Sequence, residues 1–304
     1  MRKIRIIKHK KKPSAKSTQP VQNAPQKNAK KKHTILKIIL VLLVVWWFNN
    51  FTLKVVDLEL KSPKITADVK LAVISDLHVD CGGVSCDSIV DTVVEENPDA
   101  VLILGDMFSS LSTKESRKEP VEMTKNLVEQ GFAVYFITGD HDCDDKDYVE
   151  SMKSLGAHCM NYAEETFGIN GVKIHLMGID NVYYSDTFSV SNAFVNSPDS
   201  YNILLAHIPN YDSFAQFGAD LTICGDTHGN MAQLPFGGGS FYDPATHMWM
   251  PQLRFPDMKI YDKGYFEYDG GGMFISAGIG LSPLPVRFNN RPEVDIIELK
   301  PSQE

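Results

Sequence analysis

The sequence predicts an α/β domain with parallel strands, carried behind a single apolar span. Three observations lead there. Apolar runs of strand length alternate with helical stretches from residue 69 onward, the rhythm of β-strands joined by helical crossovers. Five of those runs end, at the carboxyl side, in Asp or His. A basic, Pro- and Gln-containing tail leads into an unbroken hydrophobic segment near the N-terminus.

Residues 1–33 are rich in Lys and hold too little apolar surface to fold, so they read as a disordered basic tail. The run Ile35-Leu-Lys-Ile-Ile-Leu-Val-Leu-Leu-Val-Val-Trp-Trp-Phe48 follows. As a helix, Thr34 to Phe51 would be roughly 27 Å long at about 1.5 Å per residue, close to the ~30 Å of a bilayer's hydrocarbon core. Lys37 can snorkel toward the basic end, and Trp46 and Trp47 suit the opposite interface. A cleaved signal peptide would need a small-residue site next; Asn49-Asn-Phe-Thr-Leu-Lys54 offers none. The reading is a membrane anchor over 34–52, with 53–68 a linker and lead-in strand. The positive-inside rule then keeps residues 1–33 cytoplasmic and exports the remainder, giving a single-pass protein of the cell membrane whose main domain is extracytoplasmic.

The charge is split sharply. Residues 1–56 carry 14 of the 30 Lys and Arg and no Asp or Glu, leaving 16 against all 38 acidic residues in the body. Such a body repels polyanions and argues against nucleic acid as a partner. Five cysteines form no CxxC pair. Cys81 and Cys86 are close enough to cross-link in an oxidising compartment, and two free thiols fit the sequence equally.

The body, 69–304, reads as follows. A strand over 69–74 ends in Ser75-Asp-Leu-His78, and a helix follows over 86–96. A strand over 100–104 ends in Gly105-Asp106, with a helix over 119–131. A strand over 132–138 ends in Gly139-Asp-His-Asp142, with a helix over 146–156. Strands near 163–168 and 172–178 precede one over 201–206 that ends in His207. A strand over 220–224 ends in Gly225-Asp-Thr-His228. The last strands fall near 272–276 and 293–299. The Gly runs at 237–239 and 270–272 mark loops. The stretch 230–268 has no readable period.

The carboxyl edge of an open α/β sheet is where ligands bind. One Asp or His there is ordinarily a cap or turn residue, but five strand endings in order are not explained by capping. Asp76 and His78 lie two apart, and in extended chain such residues point the same way; Asp226 and His228 repeat the spacing. Asp106 has two carboxylate oxygens and can bridge two cations. With Asp140 and His207 the set is seven candidate ligands, suited to two divalent ions about 3.5–4 Å apart. Such a pair makes hydroxide near neutral pH and neutralises phosphoryl oxygens. His141, beside Asp140, is placed as general acid for the leaving oxygen. The chemistry implied is hydrolysis of a phosphoester or pyrophosphate.

These motifs, Asp76-x-His78, Gly105-Asp106, Gly139-Asp-His-Asp142, His207 and Gly225-Asp-Thr-His228, resemble in order those of the calcineurin-like metallophosphoesterases, most closely a bacterial membrane-associated branch. The resemblance covers roughly 69–299. It implies a four-layer α/β/β/α sandwich with two central sheets. It also implies a first metal on Asp76, His78, Asp106 and His228, a second on Asp106, Asp140, His207 and Asp226, and His141 as catalytic histidine. The chain departs from the family's pattern at Asp140, where Asn is usual, and at Asp226, where His is usual. Both changes put anionic oxygen at the second metal. Oxygen-rich sites favour hard ions, so Mn²⁺ is expected ahead of Mg²⁺, Fe or Zn²⁺.

Arg287 and Arg291 fall in the late stretch of the resemblance and are candidates for binding substrate phosphate; a surface salt bridge is the alternative for either. His158, His175 and His247 read as structural. Asp142, Asp144, Asp145 and Asp147 read as a solvated helix start. Three functions stay open. One is hydrolysis of a lipid-linked phosphate or pyrophosphate, another is hydrolysis of a soluble phosphodiester or monoester, and the third is a catalytically inactive metal-binding or interaction module of the same fold.

Overall fold

The structure, a computed structural model, describes residues 27–180, 187–234, 238–243, 248–253, 260–283 and 285–302. In chain order its elements are α1 (Lys27–Phe51), β1 (Lys54–Ser62), β2 (Val69–Ile74), α2 (Cys86–Glu96), β3 (Ala100–Ile103), α3 (Lys118–Glu129), β4 (Ala133–Phe136), α4 (Lys146–Ser154) and β5 (His158–Cys159). There follow β6 (Ala163–Ile169), β7 (Val172–Ile179), β8 (Tyr201–Ala206), α5 (Tyr211–Phe217), β9 (Leu221–Cys224), β10 (Gly238–Asp243), β11 (Met248–Leu253), β12 (Gly264–Tyr268), β13 (Gly271–Ile275) and β14 (Glu293–Pro301). Two compact units divide between Leu43 and Val44. The first contains the greater part of α1. Lys32–Phe51 is long and apolar enough to cross a membrane, and its large side chains from Ile35 to Phe48 stand exposed, an apolar surface that water does not favour.

The second unit is built on two six-stranded sheets. One has the order β1-β14-β2-β3-β4-β5, the other β12-β13-β9-β8-β7-β6, and β10 pairs with β11 as a separate hairpin. Strands β2 to β5 run parallel, as do β7, β8, β9 and β13. This is the parallel order that the β-α-β rhythm predicts.

The period of two along each strand makes the layers. Leu71, Val73, Leu102 and Leu104 of one sheet meet Ile203, Leu205, Ile223 and Phe274 of the other in a core between the sheets. Their neighbours Ala72, Ile74, Val101 and Ile103 face out under α2, α3 and α4 through Ile89, Met123, Leu127 and Met152. On the second sheet Leu204, Ala206, Met273 and Ile275 face out and meet Phe214 of α5. The result is the α/β/β/α layering expected from the resemblance. Local signals fix the ends of the helices. Ser85 accepts the Ser88 N–H and Asp145 the Tyr148 N–H, side-chain caps for α2 and α4. Gly218, at φ 71°, ends α5 in the left-handed conformation, which suits glycine.

The expected lead-in strand is β1, which pairs along its whole length with β14 and so forms the edge of the first sheet. Both glycine runs depart in part from the loops expected. The Gly270–Gly272 run, read as a loop, contributes Gly271 and Gly272 to β13. A Cβ on Gly272 would collide with the ring of Tyr265; the glycine is there for close approach. Similarly Gly238 and Gly239, also read as loop, begin β10. All five cysteines are free thiols, Cys81 and Cys86 included.

Candidate metal centre

The carboxyl ends of β2, β3, β4, β8 and β9 meet along one edge, and the loops there are laced by backbone bonds. Asp76 N–H donates to Gly105 O at 3.1 Å, His78 N–H to Asp106 O at 3.0 Å, and Gly225 N–H to His207 O at 2.9 Å. Glycine permits the closest approaches. A Cβ on Gly139 would strike Asp106 and lie 2.8 Å from His207 Nε2, and one on Gly225 would strike Ser75 Oγ.

All seven expected ligands come together. Ligand atoms of Asp76, His78 and His228 lie within 4.8 Å of one another, as do those of Asp76, Asp106 and His207, and those of Asp140, His207 and Asp226. Asp106 is central. Its Oδ2 is 3.4 Å from Nε2 of His78 and 3.4 Å from Nε2 of His207, the placement a bridging carboxylate would need. The grouping differs in one respect from that implied by resemblance: Asp76 lies near the His207 cluster as well as near His78 and His228.

The convergence does not come from extended chain. Asp76, His78, Asp106, Asp226 and His228 all have φ between 40° and 67°. Left-handed backbone costs a non-glycine residue about 1 kcal/mol or more. Five such residues in one site are strain concentrated where function is placed. The kinks after β2 and β9, rather than a pleat, bring each Asp-x-His pair onto one cavity.

The donor set fits cations. Nε2 of His78 and of His207 are buried without a hydrogen-bond partner. Nδ1 of His207 donates to Leu104 O at 2.8 Å, which puts the proton on Nδ1 and leaves the Nε2 lone pair for a metal. Nδ1 of His78 lies 3.1 Å from Ser109 Oγ, a comparable outer support.

Electrostatics agree. Burial raises the Asp76 carboxyl to about 7, opposed by His207 and reinforced by Asp106. Burial raises Asp226 to about 6, and Asp140 and Asp106 add to the effect. Asp106, although burial works against its charge, is held well below the usual range by His207, His78 and His141. His207 is pushed well above the ordinary imidazole value, since Asp106, Asp140 and Asp76 outweigh its burial. Burial lowers His78 to about 4 and holds His228 well below the ordinary imidazole value. A cavity that collects this much negative charge demands positive charge, supplied by protons or by divalent ions.

His141 stands at the mouth, its side chain 34% exposed, with Nε2 3.9 Å from Asp106 Oδ2. Its Nδ1 accepts the Ser110 N–H at 3.2 Å, so the ring proton sits on Nε2, the nitrogen on the Asp106 side. The backbone N–H of His141 donates to Asp106 Oδ1 at 2.9 Å, fixing the loop to the central carboxylate.

Asp142 is the residue the sequence misrepresented. It is buried, not solvated. Its carboxylate accepts the Gly139 N–H at 2.6 Å and the Met107 N–H at 3.0 Å, and burial raises it to about 7. Only its place at the end of the Gly139-Asp-His-Asp142 motif sets it apart in sequence from Asp144 and Asp147. Arg287 is buried and Arg291 half-buried. Arg287 is 1% exposed, donates from Nε to Gly280 O at 2.9 Å and lies 3.4 Å from His228 Nδ1. Its Nη1 is buried without a partner. Arg291 donates to Thr52 Oγ1 and Leu53 O and covers the Phe48 ring at 4.4 Å. His158 pairs with Glu165 on the surface and His175 with Thr166, both structural as expected. His247 lies outside the described residues.

A profile of the calcineurin-like phosphoesterases matches residues 69–230. The chain is 24% identical over 218 residues to the uncharacterised metallophosphoesterase YkuE of Bacillus subtilis, covering 70% of this chain and 72% of that protein. It is 28% identical over 292 residues to a transmembrane protein with metallophosphoesterase domain from Danio rerio, covering 88% of this chain and 63% of that one. Among solved structures, TT1561 of Thermus thermophilus superposes with a TM-score of 0.40 at 10% identity, over 60% of this chain and 88% of the other.

Proposed function

The chain belongs to the calcineurin-like phosphoesterase family and is a phosphoester hydrolase, and on that premise we propose that it is a two-metal enzyme anchored in a membrane by the helix that ends at Phe51. The observation that carries the reading is the pair of buried, unpartnered Nε2 atoms of His78 and His207, each 3.4 Å from the same Asp106 oxygen. Asp76, His78, Asp106 and His228 would hold one ion, and Asp106, Asp140, His207 and Asp226 the other. Bound there, divalent cations would supply Lewis acidity toward phosphoryl oxygens and an activated water.

The chain's own groups do the rest. Asp106 holds the two ligand clusters at one spacing. The Leu104 carbonyl keeps His207 in the ligating tautomer. The Ser110 N–H orients the His141 ring with Nε2 on the Asp106 side; to deliver the Nε2 proton to the leaving oxygen the ring must first take up a second proton on Nδ1, giving up the Ser110 contact. Arg287 positions His228 from behind; its free Nη1 is the one guanidinium nitrogen left for a phosphate oxygen. Arg291, committed to Thr52, Leu53 and Phe48, secures the loop.

The anchor reading is supported by the apolar helix and by a relative described as a transmembrane protein. The basic residues before the helix favour a cytoplasmic N-terminus and an extracytoplasmic site. Oxygen-rich ligation by Asp140 and Asp226 favours Mn²⁺. The substrate is a phosphodiester, a phosphomonoester or a lipid-linked pyrophosphate. The full chain in detergent, stripped of metal and resupplied with Mn²⁺, should hydrolyse a phosphodiester with an alkoxide leaving group and lose that activity as His141→Ala. Folded protein with two bound ions and no turnover of any phosphoester would favour the inactive binding module.

A further inference from the structure

The end of the apolar helix is stitched into the loop beside the metal centre. Asn50, fully buried, donates from Nδ2 to Arg287 O at 3.1 Å and accepts the Arg287 N–H on Oδ1 at 2.6 Å, so one side chain closes both backbone groups of one residue. Asn49 Oδ1 accepts the Asn289 N–H at 2.8 Å. Arg291 binds Thr52 and covers Phe48. Between these ties, Val286 is 40% and Phe288 48% exposed. The Phe288 backbone bridges to Ala232, two residues from Leu234, which is 40% exposed. The same loop reaches the site: Asn290 Nδ2 donates to His228 O at 2.7 Å, and Arg287 faces His228 Nδ1.

We propose that Val286, Phe288 and Leu234 form a second membrane contact, which seats the mouth of the metal centre against the lipid headgroups and presents it to lipid-borne phosphoesters. This contact presupposes the membrane anchor proposed above. If Trp46 to Phe51 lie at the bilayer interface, residues hydrogen-bonded to Asn49 and Asn50 lie there too, because no flexible linker separates them. Apolar and aromatic side chains are favoured at that depth, whereas three exposed ones around a loop in water are not. Phe48 and Phe51, at the end of the helix, are exposed too, and the loop that carries Val286 and Phe288 is bonded to Asn49 and Asn50 between them; this proximity to the span favours lipid over a protein partner.

The test is spin-label depth in the full chain reconstituted into phosphatidylcholine and phosphatidylglycerol vesicles, with Cys81, Cys86, Cys143 and Cys159 replaced by Ser. Labels go on Leu40→Cys, Phe288→Cys, Val286→Cys and, at the start of β7 on the opposite edge of the sheet, Lys173→Cys. Power saturation compares oxygen with an aqueous nickel chelate. The proposal expects positions 40, 286 and 288 to be oxygen-rich and nickel-poor, and 173 to be nickel-accessible. Position 40 in lipid with 286 and 288 as nickel-accessible as 173 overturns the proposal and leaves the anchor standing. Position 40 in water overturns the anchor and the proposal together. Exclusion of both probes at 286 and 288 means cover by protein, and overturns the lipid contact. None of these outcomes depends on turnover, so a failure of the catalytic reading is separately visible.

Discussion

Asp142 holds the backbone N–H of Met107 at 3.0 Å across 35 positions of sequence. With its second oxygen on the Gly139 N–H, it ties the loop of Asp106 to the loop of Asp140. Asp142→Ala would leave two buried donors unpaired, at about 1–3 kcal/mol each. The expected result is a lower midpoint of thermal unfolding together with weaker metal binding. Asp142→Asn, which keeps one acceptor oxygen, should lose less on both counts. Calorimetry and metal titration of the two variants check the order.

Gly139→Ala should damage the centre more than the fold. The added methyl meets Asp106 and His207, candidates for both ions, in a loop that cannot recede because Asp142 and Asp106 hold its backbone. Metal affinity should fall about 10–100-fold, the size of loss seen when ligand orientation is disturbed. Elemental analysis after dialysis measures it; two ions retained per chain would count against the assignment of these ligands.

His141→Ala should keep its metals and lose its rate. Loss of a general acid costs roughly 10²–10⁴-fold, and the loss should shrink for substrates whose leaving group needs no proton, such as nitrophenolate. A uniform loss across leaving groups would remove His141 from proton transfer.

Metal affinity should fall as pH drops through about 7 and then 6. Asp76, raised to about 7, and Asp226, raised to about 6, both hold protons below those values, and His207, pushed well above the ordinary imidazole value, holds one too. Cations must displace them, so binding releases protons, more at lower pH. His78, lowered to about 4, is already neutral and releases none. Calorimetric titrations in buffers of different ionisation enthalpy count the protons; an affinity flat from pH 5.5 to 8 would contradict this.

Much of this was legible because one pattern served two purposes. The alternation that sends Leu71 and Val73 inward and Ala72 and Ile74 outward marks β2 as a strand buried on both faces, and its end locates Asp76. The same held for β3, β4, β8 and β9. Asp76 and His78 do come together, but left-handed turns rather than the expected pleat aim them. Asp142 was misread because burial is set by partners 35 residues away. The lead-in strand β1 was expected but its pairing with β14 was not, since Lys, Asp and Glu alternate there with half-buried apolar residues, as an edge strand allows. The ties of Asn50 to Arg287 span 237 positions and have no local signature.

The central claim is that the seven strand-end residues form a two-metal phosphoesterase centre bridged by Asp106. The most direct measurement is metal stoichiometry and phosphodiester turnover on one preparation of the full chain, before and after Asp106→Ala. The parent should hold two Mn²⁺ per chain and turn over substrate, and the variant should lose both ions and turnover while staying folded. Two ions and full turnover in folded Asp106→Ala would contradict it.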